Sequence, residues 1–281
     1  MEVISTVAGL KARVADARKA GLSVGLVPTM GALHVGHLSL VNRACAENGF
    51  VVVSVFVNPT QFNNPEDLRT YPRTLDADVR LLEANTKAAV VFAPTAEEVY
   101  PKPDTRVFSL GAVAEVMEGA HRPGHFNGVC QIVSKLFAYV SPDRAYFGEK
   151  DFQQIAVIKR MVEVCDFKLD IVSCPIVREP DGLAVSSRNT LLTPEHRAAA
   201  PHIHEVLEQS RGLVGKLTPA ELVKWTVDKV NDNPLLDVEY YEIVDSLTLQ
   251  DIASWDESDA PHGCITVQAG NVRLIDNISL R

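Results

Sequence analysis

The feature that most constrains this chain is a helical segment enclosed between two short apolar runs. Residues 24–27 form a short apolar run, and residues 50–57 form a nearly continuous β-branched run that is typical of a strand buried on both faces of a parallel sheet. Between them, residues 28–34 form a glycine-bearing connection and residues 36–46 have the spacing of a helix. The order strand, helix, strand predicts a βαβ unit, so we expect an α/β protein.

Other segments in the first two thirds of the chain extend this pattern. The predicted helices are residues 5–20, 76–84, 128–140 and 151–164, with a short helical piece at 95–99. The predicted strands or extended segments are 88–93, 144–147 and 169–177, and the irregular connections are 58–74 and 100–125. Together these elements predict a Rossmann-like parallel sheet with helices on both faces.

The character of the sequence changes near residue 178, where polar, turn-rich residues replace the apolar runs. Helices are predicted at 194–211 and 219–231, each with a proline near its start. Three short β patterns follow, VEYYEIVD, CITVQAG and VRLIDNISL, and they predict a smaller C-terminal α+β domain. We therefore predict two domains, residues 1–176 and residues 177–281.

Composition and charge narrow the classes of function. The formal net charge is −9, from 27 basic and 36 acidic residues, which argues against a general nucleic-acid surface. Five cysteines are scattered without C-x-x-C spacing, which predicts free thiols in a reducing compartment rather than a metal site. The N-terminal pattern is mixed in charge, and no apolar run reaches membrane-spanning length. We expect a cytoplasmic protein with neither nucleic acid nor membrane as a partner.

The connection between the first apolar run and its helix carries two histidines. His34 and His37 lie at the predicted helix start, separated by Val35 and Gly36. A helix N-terminus presents unpaired N–H groups and a partial positive charge, so phosphate binds there readily. Gly36 lets a ligand approach the backbone, and histidines three residues apart can face the same anion. The alternative is a pair of surface histidines beside a turn, but the strand before them and the helix after them favour a nucleotide site.

Two further loops follow predicted strands, where ligands bind in open α/β sheets. The loop FVNPTQF carries Asn58 and Gln61, whose neutral amides can hold a hydroxyl or a carboxylate. Ordinary turn chemistry explains Asn58 well but Gln61 poorly. The loop FGEKDFQQ carries Lys150, which can reach a phosphate, and Gln154 one turn further along. Lys150 could instead be a solvated surface residue, and Asp151 could be only a helix N-cap.

Two polar motifs leave alternatives open. Residues 186–189, SSRN, offer two hydroxyls and a guanidinium suited to a pyrophosphate, and the alternative is a surface turn. The motif GAHRPGHFNGV places His121 and His125 four residues apart, which on a helix would form a metal-binding face. A proline and a glycine between them disfavour a helix, and with it a metal site. We predict a loop that leads into a helix, with Arg122 and His125 as candidate anion contacts.

The set of motifs resembles that of one enzyme family. In chain order the motifs are PTMGALHVGH, FVNPTQF, YPRT, HRPGHFNGV, FGEKDFQQ and VSSRN. The first resembles the HxGH signature of the nucleotidylyltransferase and class I aminoacyl-tRNA synthetase superfamily. The full set covers nearly all of residues 20–195 and resembles the pantoate:β-alanine ligase family. The C-terminal part of the chain fits the small second domain of that family but is less distinctive.

The resemblance implies an ATP-dependent ligase that condenses (R)-pantoate with β-alanine to give pantothenate, AMP and diphosphate. The pantoate carboxylate would attack the α-phosphorus of MgATP to form an enzyme-bound pantoyl adenylate, whose acyl carbon the β-alanine amine would then attack. ATP and Mg²⁺ are the implied cofactors, and a homodimer is the implied assembly. Residues 1–176 would bind nucleotide and pantoate, and residues 177–281 would close over the ATP.

The resemblance also implies roles for individual residues, carried over motif by motif. His34, His37 and Lys150 would be catalytic, with His37 as a proton donor or transition-state stabiliser. The residues implied to bind ATP are Met30, Gly31, Ala32, Leu33, His34, Val35, Gly36, His37, Gly148, Glu149, Lys150, Asp151, Val177, Val185, Ser186, Ser187 and Arg188. The residues implied to bind the other substrates are Asn58, Gln61, Tyr71, Arg122, His125 and Gln154.

Two departures from the family pattern affect these assignments. Asp76 and Asp78 flank Ala77 where relatives can have adjacent acidic residues near the magnesium, so we name no direct protein ligand to Mg²⁺. Val185 stands where a methionine is frequent, which should change packing around the adenine more than the chemistry.

Two other functions stay open at this point. A nucleotidylyltransferase that acts on a phosphate ester would need cationic contacts for its acceptor, whereas the candidates on that side are the amides of Gln61 and Gln154. A nucleotide-responsive binding protein without turnover would not require so many phosphate donors.

Overall fold

The computed structural model describes residues 1–281. They form two compact units, each with its own sheet. The first unit consists of Met1–Leu110, Arg122–Glu149 and Gln154–Pro175, and the second of Gly111–His121, Lys150–Gln153 and Ile176–Arg281. Two short segments from the middle of the chain therefore belong to the C-terminal unit. The division into domains at residues 176 and 177 stays a prediction.

Strands and helices are numbered in chain order. The strands are β1 Glu2–Ile4, β2 Val24–Thr29, β3 Phe50–Val55, β4 Val90–Phe92, β5 Arg144–Gly148, β6 Asp170–Cys174, β7 Asp237–Asp245, β8 Pro261–Ala269 and β9 Val272–Ser279. The helices are α1 Val7–Lys19, α2 Val35–Glu47, α3 Pro65–Thr70, α4 Leu75–Asn85, α5 Ala96–Val99, α6 Glu118–His121, α7 His125–Val140, α8 Phe152–Val164, α9 Pro194–Ala199, α10 Pro201–Arg211 and α11 Pro219–Asn231. Short 3-10 turns occur at Pro59–Gln61, Gly111–Ala114, Glu149–Asp151, Ser187–Leu191 and Trp255–Glu257. None of these helices combines the length and the apolar character needed to cross a membrane.

The sheet of the first unit has six parallel strands in the order β1-β4-β3-β2-β5-β6. From β2 the chain proceeds outward through β3 and β4, then returns to the other side of β2 for β5 and β6. The boundary between β2 and β5 is therefore the topological switch point. Open α/β sheets bind ligands there, beyond the carboxyl ends of the strands.

The apolar runs predicted as strands form the centre of this sheet. Val24, Leu26 and Val27 of β2 are fully buried, as are Val52 and Val53 of β3. Burial on both faces requires nearly continuous apolar residues, which is the pattern that these strands carry. β2 and β3 pair in parallel along their whole length and are connected by α2. The βαβ unit predicted from the sequence is therefore confirmed.

The second unit contains a three-stranded antiparallel sheet in the order β7-β8-β9. Its core is formed by apolar side chains of α10, α11 and the sheet, among them Ile203, Leu222 and Ile265. Thr193 and Thr218 cap α9 and α11 by accepting hydrogen bonds from backbone N–H groups, and a proline follows each cap. The predicted fold class, a Rossmann-like parallel sheet with a smaller C-terminal α+β unit, is confirmed.

In several places the structure differs from the expectation. The predicted helix 194–211 is two helices, because Pro201 has no N–H and its ring crowds the preceding turn. The predicted loop 58–74 contains α3, which Asn64 caps with its side chain. The predicted irregular stretch 100–125 contains α6 and a 3-10 turn. Strand β1 was not predicted, since three residues are too short to show a period.

All five cysteines are free thiols. Cys130, Cys174 and Cys264 are buried, Cys45 is partly buried and Cys165 is exposed. Burial raises the pKa of the Cys130 thiol to about 12, so this thiol stays protonated at neutral pH. The prediction of free thiols is therefore confirmed.

Candidate functional site

Three loops that carry predicted site residues follow neighbouring strands of the first unit. Because β3, β2 and β5 are adjacent and parallel, their carboxyl ends lie at one edge of the sheet. Met30 follows β2, Asn58 and Gln61 follow β3, and Gly148 ends β5. The first two loops are in contact, since Gln61 Nε2 lies 3.1 Å from Met30 Sδ. The structure therefore places these predicted residues on loops at the carboxyl edge of the sheet, on both sides of β2.

The connection after β2 turns sharply through two residues in the left-handed region. Gly31 has a φ of +86° and Ala32 a φ of +49°. A Cβ on Gly31 would lie 3.0 Å from Val55 Cγ1 and 3.1 Å from Asp78 Oδ2, so both the backbone angle and the space require glycine. A non-glycine residue such as Ala32 adopts this region at a cost of about 1–2 kcal/mol. The turn therefore needs support from outside itself.

Asp78 of α4 supplies that support. Its side chain is buried and accepts hydrogen bonds from the backbone N–H groups of Ala32 at 3.0 Å and Leu33 at 2.8 Å. Thr74 Oγ1 donates a third bond to this carboxylate at 3.1 Å. Bonds to a buried carboxylate are stronger than neutral ones, so they can hold the strained turn. Sequence reasoning missed this function, because no local pattern shows that α4 packs against the turn.

His34 and His37 lie together at the N-terminus of α2. His34 is the N-cap residue, Val35 and Gly36 begin the helix, and His37 is the third helical residue. The His34 N–H donates to His37 Nδ1 at 3.3 Å, and the two ring centroids are 4.0 Å apart. Because Nδ1 accepts this bond, the neutral His37 ring carries its proton on Nε2. The helix start therefore presents two imidazoles beside backbone N–H groups that lack intrahelical acceptors.

Asn58 is buried and holds the loop after β3. Its Nδ2 donates to Gln61 Oε1 at 3.1 Å and to the carbonyl of Gly128 at 3.1 Å. Its Oδ1 accepts bonds from the Tyr100 hydroxyl at 2.7 Å and from Thr60 Oγ1 at 3.2 Å. Both ends of the amide are thus used within the protein. Asn58 can therefore act on a substrate only indirectly, by orienting the Gln61 side chain.

His125 fixes the backbone of the same loop. It is buried, and its Nδ1 lies 2.7 Å from the Gln61 carbonyl oxygen, so Nδ1 donates to that oxygen. His125 Nε2 then accepts from Arg122 Nη1 at 3.3 Å. Arg122 and His125 were predicted as candidate anion contacts, and the structure brings both to Gln61. His121 ends α6 and His125 begins α7, so the two histidines do not share a helix, as predicted.

Gly128 allows α7 to approach this loop closely. A Cβ on Gly128 would lie 2.2 Å from the Thr60 carbonyl oxygen and 2.8 Å from Gln61 Cα. Any side chain at this position would therefore push the loop away from the helix. Sequence reasoning assigned no function to Gly128, although a signal was present. A glycine inside an apolar helix costs about 1 kcal/mol and needs a packing reason.

Tyr71 and Gln154 also belong to the first unit. Tyr71 is buried, and its ring meets Phe62 edge to face with centroids 5.7 Å apart. Phe62 directly follows Gln61, so Tyr71 packs on the loop after β3. Gln154 is half-buried in the first turn of α8, the helix that follows β5. The structure thus connects Tyr71 to the Gln61 loop and places Gln154 after the strand on the other side of β2.

The segment after β5 passes from the first unit to the second at Lys150. Glu149, Lys150 and Asp151 form a 3-10 turn that leads into α8. Lys150 Nζ lies 3.3 Å from Asp151 Oδ1, and the Lys150 side chain is 20% exposed. The carbonyl of Lys150 accepts a hydrogen bond from Asn277 Nδ2 at 3.1 Å. Lys150 is therefore a half-buried cation whose backbone is fixed to β9.

The Ser/Arg motif follows a hairpin in the second unit. Val177 and Val185 are paired, with the Val185 N–H donating to the Val177 carbonyl at 3.0 Å. Ser186 caps the next 3-10 turn, and its Oγ accepts from the Arg188 N–H at 3.3 Å. Ser187 is buried in the same turn. The predicted residues of this motif are therefore contiguous in space as well as in sequence.

The sheet and the side chains at its switch point define the class of protein: a Rossmann-like α/β protein whose polar residues gather where such sheets bind nucleotides. The chain belongs to the pantoate-beta-alanine ligase family, whose model matches residues 2–279. The resemblance inferred from the motifs is confirmed, and with it the prediction of a ligase.

Individual relatives match the chain over its whole length. It is 60% identical to a pantothenate synthetase of Porphyromonas gingivalis over 278 residues, with 99% of each chain covered. A pantothenate synthetase of Bacteroides thetaiotaomicron is 59% identical over 281 residues, covering 100% of this chain and 99% of the relative.

Solved structures support the same assignment. The pantothenate synthetase of Thermus thermophilus superimposes with a TM-score of 0.93 at 44% identity, covering 100% of this chain and 99% of that chain. The pantoate-beta-alanine ligase of Francisella tularensis, complexed with beta-gamma ATP and beta-alanine, gives a TM-score of 0.84 at 34% identity, covering 100% and 98%.

Proposed function

We propose that this chain uses ATP to condense (R)-pantoate with β-alanine and releases pantothenate, AMP and diphosphate. Membership in the family supports the reaction. The Francisella tularensis relative, complexed with beta-gamma ATP and beta-alanine, supports two of the substrates. The observation that carries the proposal is the position of His34 and His37 at the N-terminus of α2, beside the loop that holds Gln61. A phosphate site next to an amide-bearing loop suits a ligase that activates a small hydroxy acid.

In the first step, the pantoate carboxylate attacks ATP. One carboxylate oxygen forms a bond to the α-phosphorus, and the bond from that phosphorus to the departing diphosphate breaks. Negative charge grows on the phosphoryl oxygens, so donors that are already in place lower the barrier. We assign this function to His37 Nε2–H, to His34 and to the first backbone N–H groups of α2.

Neutral amides are proposed to hold pantoate. Gln61 is fixed at both ends, because Asn58 binds its side chain at 3.1 Å and His125 binds its carbonyl at 2.7 Å. A fixed donor positions the carboxylate without the entropy loss of ordering a free side chain at each turnover. Gln154, Tyr71 and Arg122 complete the proposed substrate side. An amide binds a carboxylate without neutralising it, so the carboxylate keeps its nucleophilicity.

The remaining contacts to ATP are proposed from the family resemblance. Lys150 would supply a point charge to the phosphates, and the Ser/Arg motif would supply two hydroxyls and a guanidinium. Residues 177–281 are proposed to close over the nucleotide. The other residues proposed to line ATP are Met30, Gly31, Ala32, Leu33, Val35, Gly36, Gly148, Glu149, Asp151, Val177 and Val185.

Mg²⁺ is proposed to enter with the nucleotide as MgATP. No group of three or more His, Cys, Asp or Glu side chains in the chain could hold a metal ion. Both oxygens of the Asp78 carboxylate already accept hydrogen bonds from the turn after β2. Mg²⁺ commonly keeps several waters and binds substrate phosphates rather than a protein cage. We therefore assign the ion to the triphosphate.

The second step forms the amide bond. The neutral amine of β-alanine attacks the acyl carbon of pantoyl adenylate and then loses a proton. The bond from the acyl carbon to the AMP oxygen breaks, so AMP departs with an oxygen that came from pantoate. A free carboxylate is a poor electrophile, whereas AMP is a good leaving group. We propose that Gln61 lies near β-alanine as well as pantoate.

We also propose that the protein is a cytoplasmic homodimer. The family resemblance supports the dimer, and five free thiols are typical of a reducing compartment. Light scattering after size exclusion tests the assembly. We expect twice the chain mass of 30.7 kDa, and a single-chain mass would contradict the dimer.

Product analysis tests the reaction. AMP and diphosphate release are measured with ATP, D-pantoate and β-alanine, each omitted in turn. We expect sustained AMP release only with all three, and a diphosphate burst of one per site without β-alanine. A nucleotidylyltransferase would keep the nucleotide in its product and release no free AMP. Binding of ATP by calorimetry without any turnover would indicate a binding protein instead.

A further inference from the structure

We propose that Asp276 and Asn277 of β9 are positioning residues for the two phosphate-binding segments of the second unit, the Lys150 turn and the Ser186–Arg188 motif. The proposal rests on the proposed function, because it assigns these segments to ATP. It adds two side chains that the motifs do not contain. Both are buried, Asp276 at 6% and Asn277 at 5% exposure.

Asn277 fixes the backbone of Lys150. Its Nδ2 donates to the Lys150 carbonyl at 3.1 Å, and its Oδ1 lies 2.8 Å from His262 Nε2. The His262 ring stacks on Phe152, two residues after Lys150, with centroids 3.8 Å apart and planes within 3°. The turn that carries Lys150 is thus held by a side-chain bond at one end and by a stacked ring at the other. A buried amide with both ends bonded fixes its partners in one arrangement.

Asp276 fixes the hairpin that precedes the Ser/Arg motif. Its two oxygens accept hydrogen bonds from Arg178 Nη1 at 2.7 Å and Nη2 at 2.9 Å. Arg178 Nη1 also donates to the Gly182 carbonyl at 3.1 Å, across the turn of the hairpin. The hairpin is closed by the Arg178–Ala184 bridge and runs directly into Ser186. A bidentate, largely buried arginine–carboxylate pair gives a defined geometry to this turn.

Neighbouring residues of a strand point to opposite faces, so the consecutive residues Asp276 and Asn277 reach two different segments. They are also linked, since the Asn277 N–H donates to Asp276 Oδ1 at 2.8 Å. Strand β9 pairs with β8 along its length and is therefore a rigid support. We infer that this pair sets the separation between Lys150 and the Ser/Arg motif.

Double-mutant cycles test whether Asp276 and Asn277 position the phosphate-binding side chains. A positioning residue loses its effect on the rate once the side chain that it positions is removed, whereas a purely structural residue keeps its effect. Asn277→Ala is expected to slow pantoyl adenylate formation at least tenfold, since a shift of about 1 Å at a reacting group can cost up to about a hundredfold. In a Lys150→Ala background the same change should slow the step less than twofold. Asp276→Asn should likewise slow the step at least tenfold alone, and less than twofold in an Arg188→Ala background. The loss should fall on kcat for adenylation, with the KM for β-alanine unchanged.

Ser258→Ala is the matched control. Ser258 is a buried polar residue of the same unit, in the loop before β8, and its hydroxyl donates to Asp245 Oδ2 at the end of β7 at 2.6 Å. We expect this variant to lower Tm without changing the adenylation rate. If Asn277→Ala slows adenylation by the same factor with and without Lys150, or if both β9 variants keep the wild-type rate while folded, the proposal is overturned.

Failure of the proposed function would give a different result. If the wild-type chain forms neither pantoyl adenylate nor diphosphate from pantoate and ATP, the proposed reaction is wrong. The same variants are then compared by their Kd for ATP, measured by calorimetry. Coupling between Asn277 and Lys150 in ATP binding would still support the positioning function, and additive effects would overturn it.

Discussion

Replacing Asp78 by asparagine removes the charge that holds the turn after β2. The carboxylate accepts bonds from the N–H groups of Ala32 and Leu33, and Asp78→Asn keeps the shape but leaves one acceptor oxygen. One of the two N–H groups would then face the new amide nitrogen. A buried donor without a partner costs about 1–3 kcal/mol. We expect Asp78→Asn to lower the free energy of unfolding by that amount.

The activity should fall together with the stability. The turn already holds Ala32 at a φ of +49°, which costs about 1–2 kcal/mol, so it relaxes once its support is weakened. Relaxation moves His34 and His37, which directly follow the turn in the chain. A displacement of about 1 Å at reacting groups can lower a rate by up to about a hundredfold. We therefore expect pantoyl adenylate formation to slow between tenfold and a hundredfold by that estimate.

Denaturant unfolding and rapid-quench adenylate formation measure the two effects. Asp76→Asn is the matched control, because Asp76 lies on the same turn of α4, is exposed and is not hydrogen-bonded to the turn after β2. We expect the control to lose a few tenths of a kcal/mol at most, from its place near a helix N-terminus. Equal stability and equal adenylation rates for the two variants would refute the reasoning.

Four further substitutions have defined outcomes. His37→Ala and Lys150→Ala should each slow the adenylate burst about a hundredfold, since one donor to a developing oxyanion contributes about 3 kcal/mol, with little loss of folding. Gly128→Ala would place a Cβ 2.2 Å from a backbone oxygen beside Gln61, so we expect a loss of about 1–3 kcal/mol in denaturant unfolding and a higher KM for pantoate. Burial is the larger cause, and the nearby Asp251 the smaller one, of a rise in the pKa of Glu242 to about 7. The stabilising contribution of the Glu242 carboxyl is therefore present below pH 4.5 and is lost as the pH rises through 7. Glu242→Gln should therefore raise Tm at pH 8 but not at pH 4.

Each of these expectations can fail separately. Wild-type bursts from both His37→Ala and Lys150→Ala would remove these side chains from catalysis. A Gly128→Ala variant as stable as the wild type would mean that α7 moves freely relative to the loop. A pH-independent difference in Tm between Glu242→Gln and the wild type would show that the Glu242 carboxyl does not titrate in this range.

The centre of the fold could be predicted because its determinants are local. The apolar runs at 24–27 and 50–57 form β2 and β3, and the segment between them forms α2. The two segments that join the second unit, Gly111–His121 and Lys150–Gln153, could not be predicted. The first is held there by contacts distant in sequence, such as the bonds from Arg273 to both oxygens of Glu118 at 2.8 and 2.6 Å. No local period shows such a contact.

The same distinction applies to the site. His34, His37 and Lys150 were visible because a helix start or a strand end makes their position meaningful from neighbouring residues alone. No local pattern indicates the positioning functions of Asp78 and Asn277. Their contacts, to the turn after β2 and to the Lys150 carbonyl, join parts of the chain 45 or more residues apart.

Transfer of an oxygen label from pantoate is the most direct test of the central claim, that the carboxylate is activated as an adenylate. The chain is incubated with ATP, β-alanine and pantoate labelled with ¹⁸O in both carboxylate oxygens, and the products are analysed by mass spectrometry. We predict one ¹⁸O atom in AMP and none in diphosphate, because the attacking oxygen stays on the α-phosphorus. Unlabelled AMP, or label in inorganic phosphate released together with ADP, would contradict activation as an adenylate.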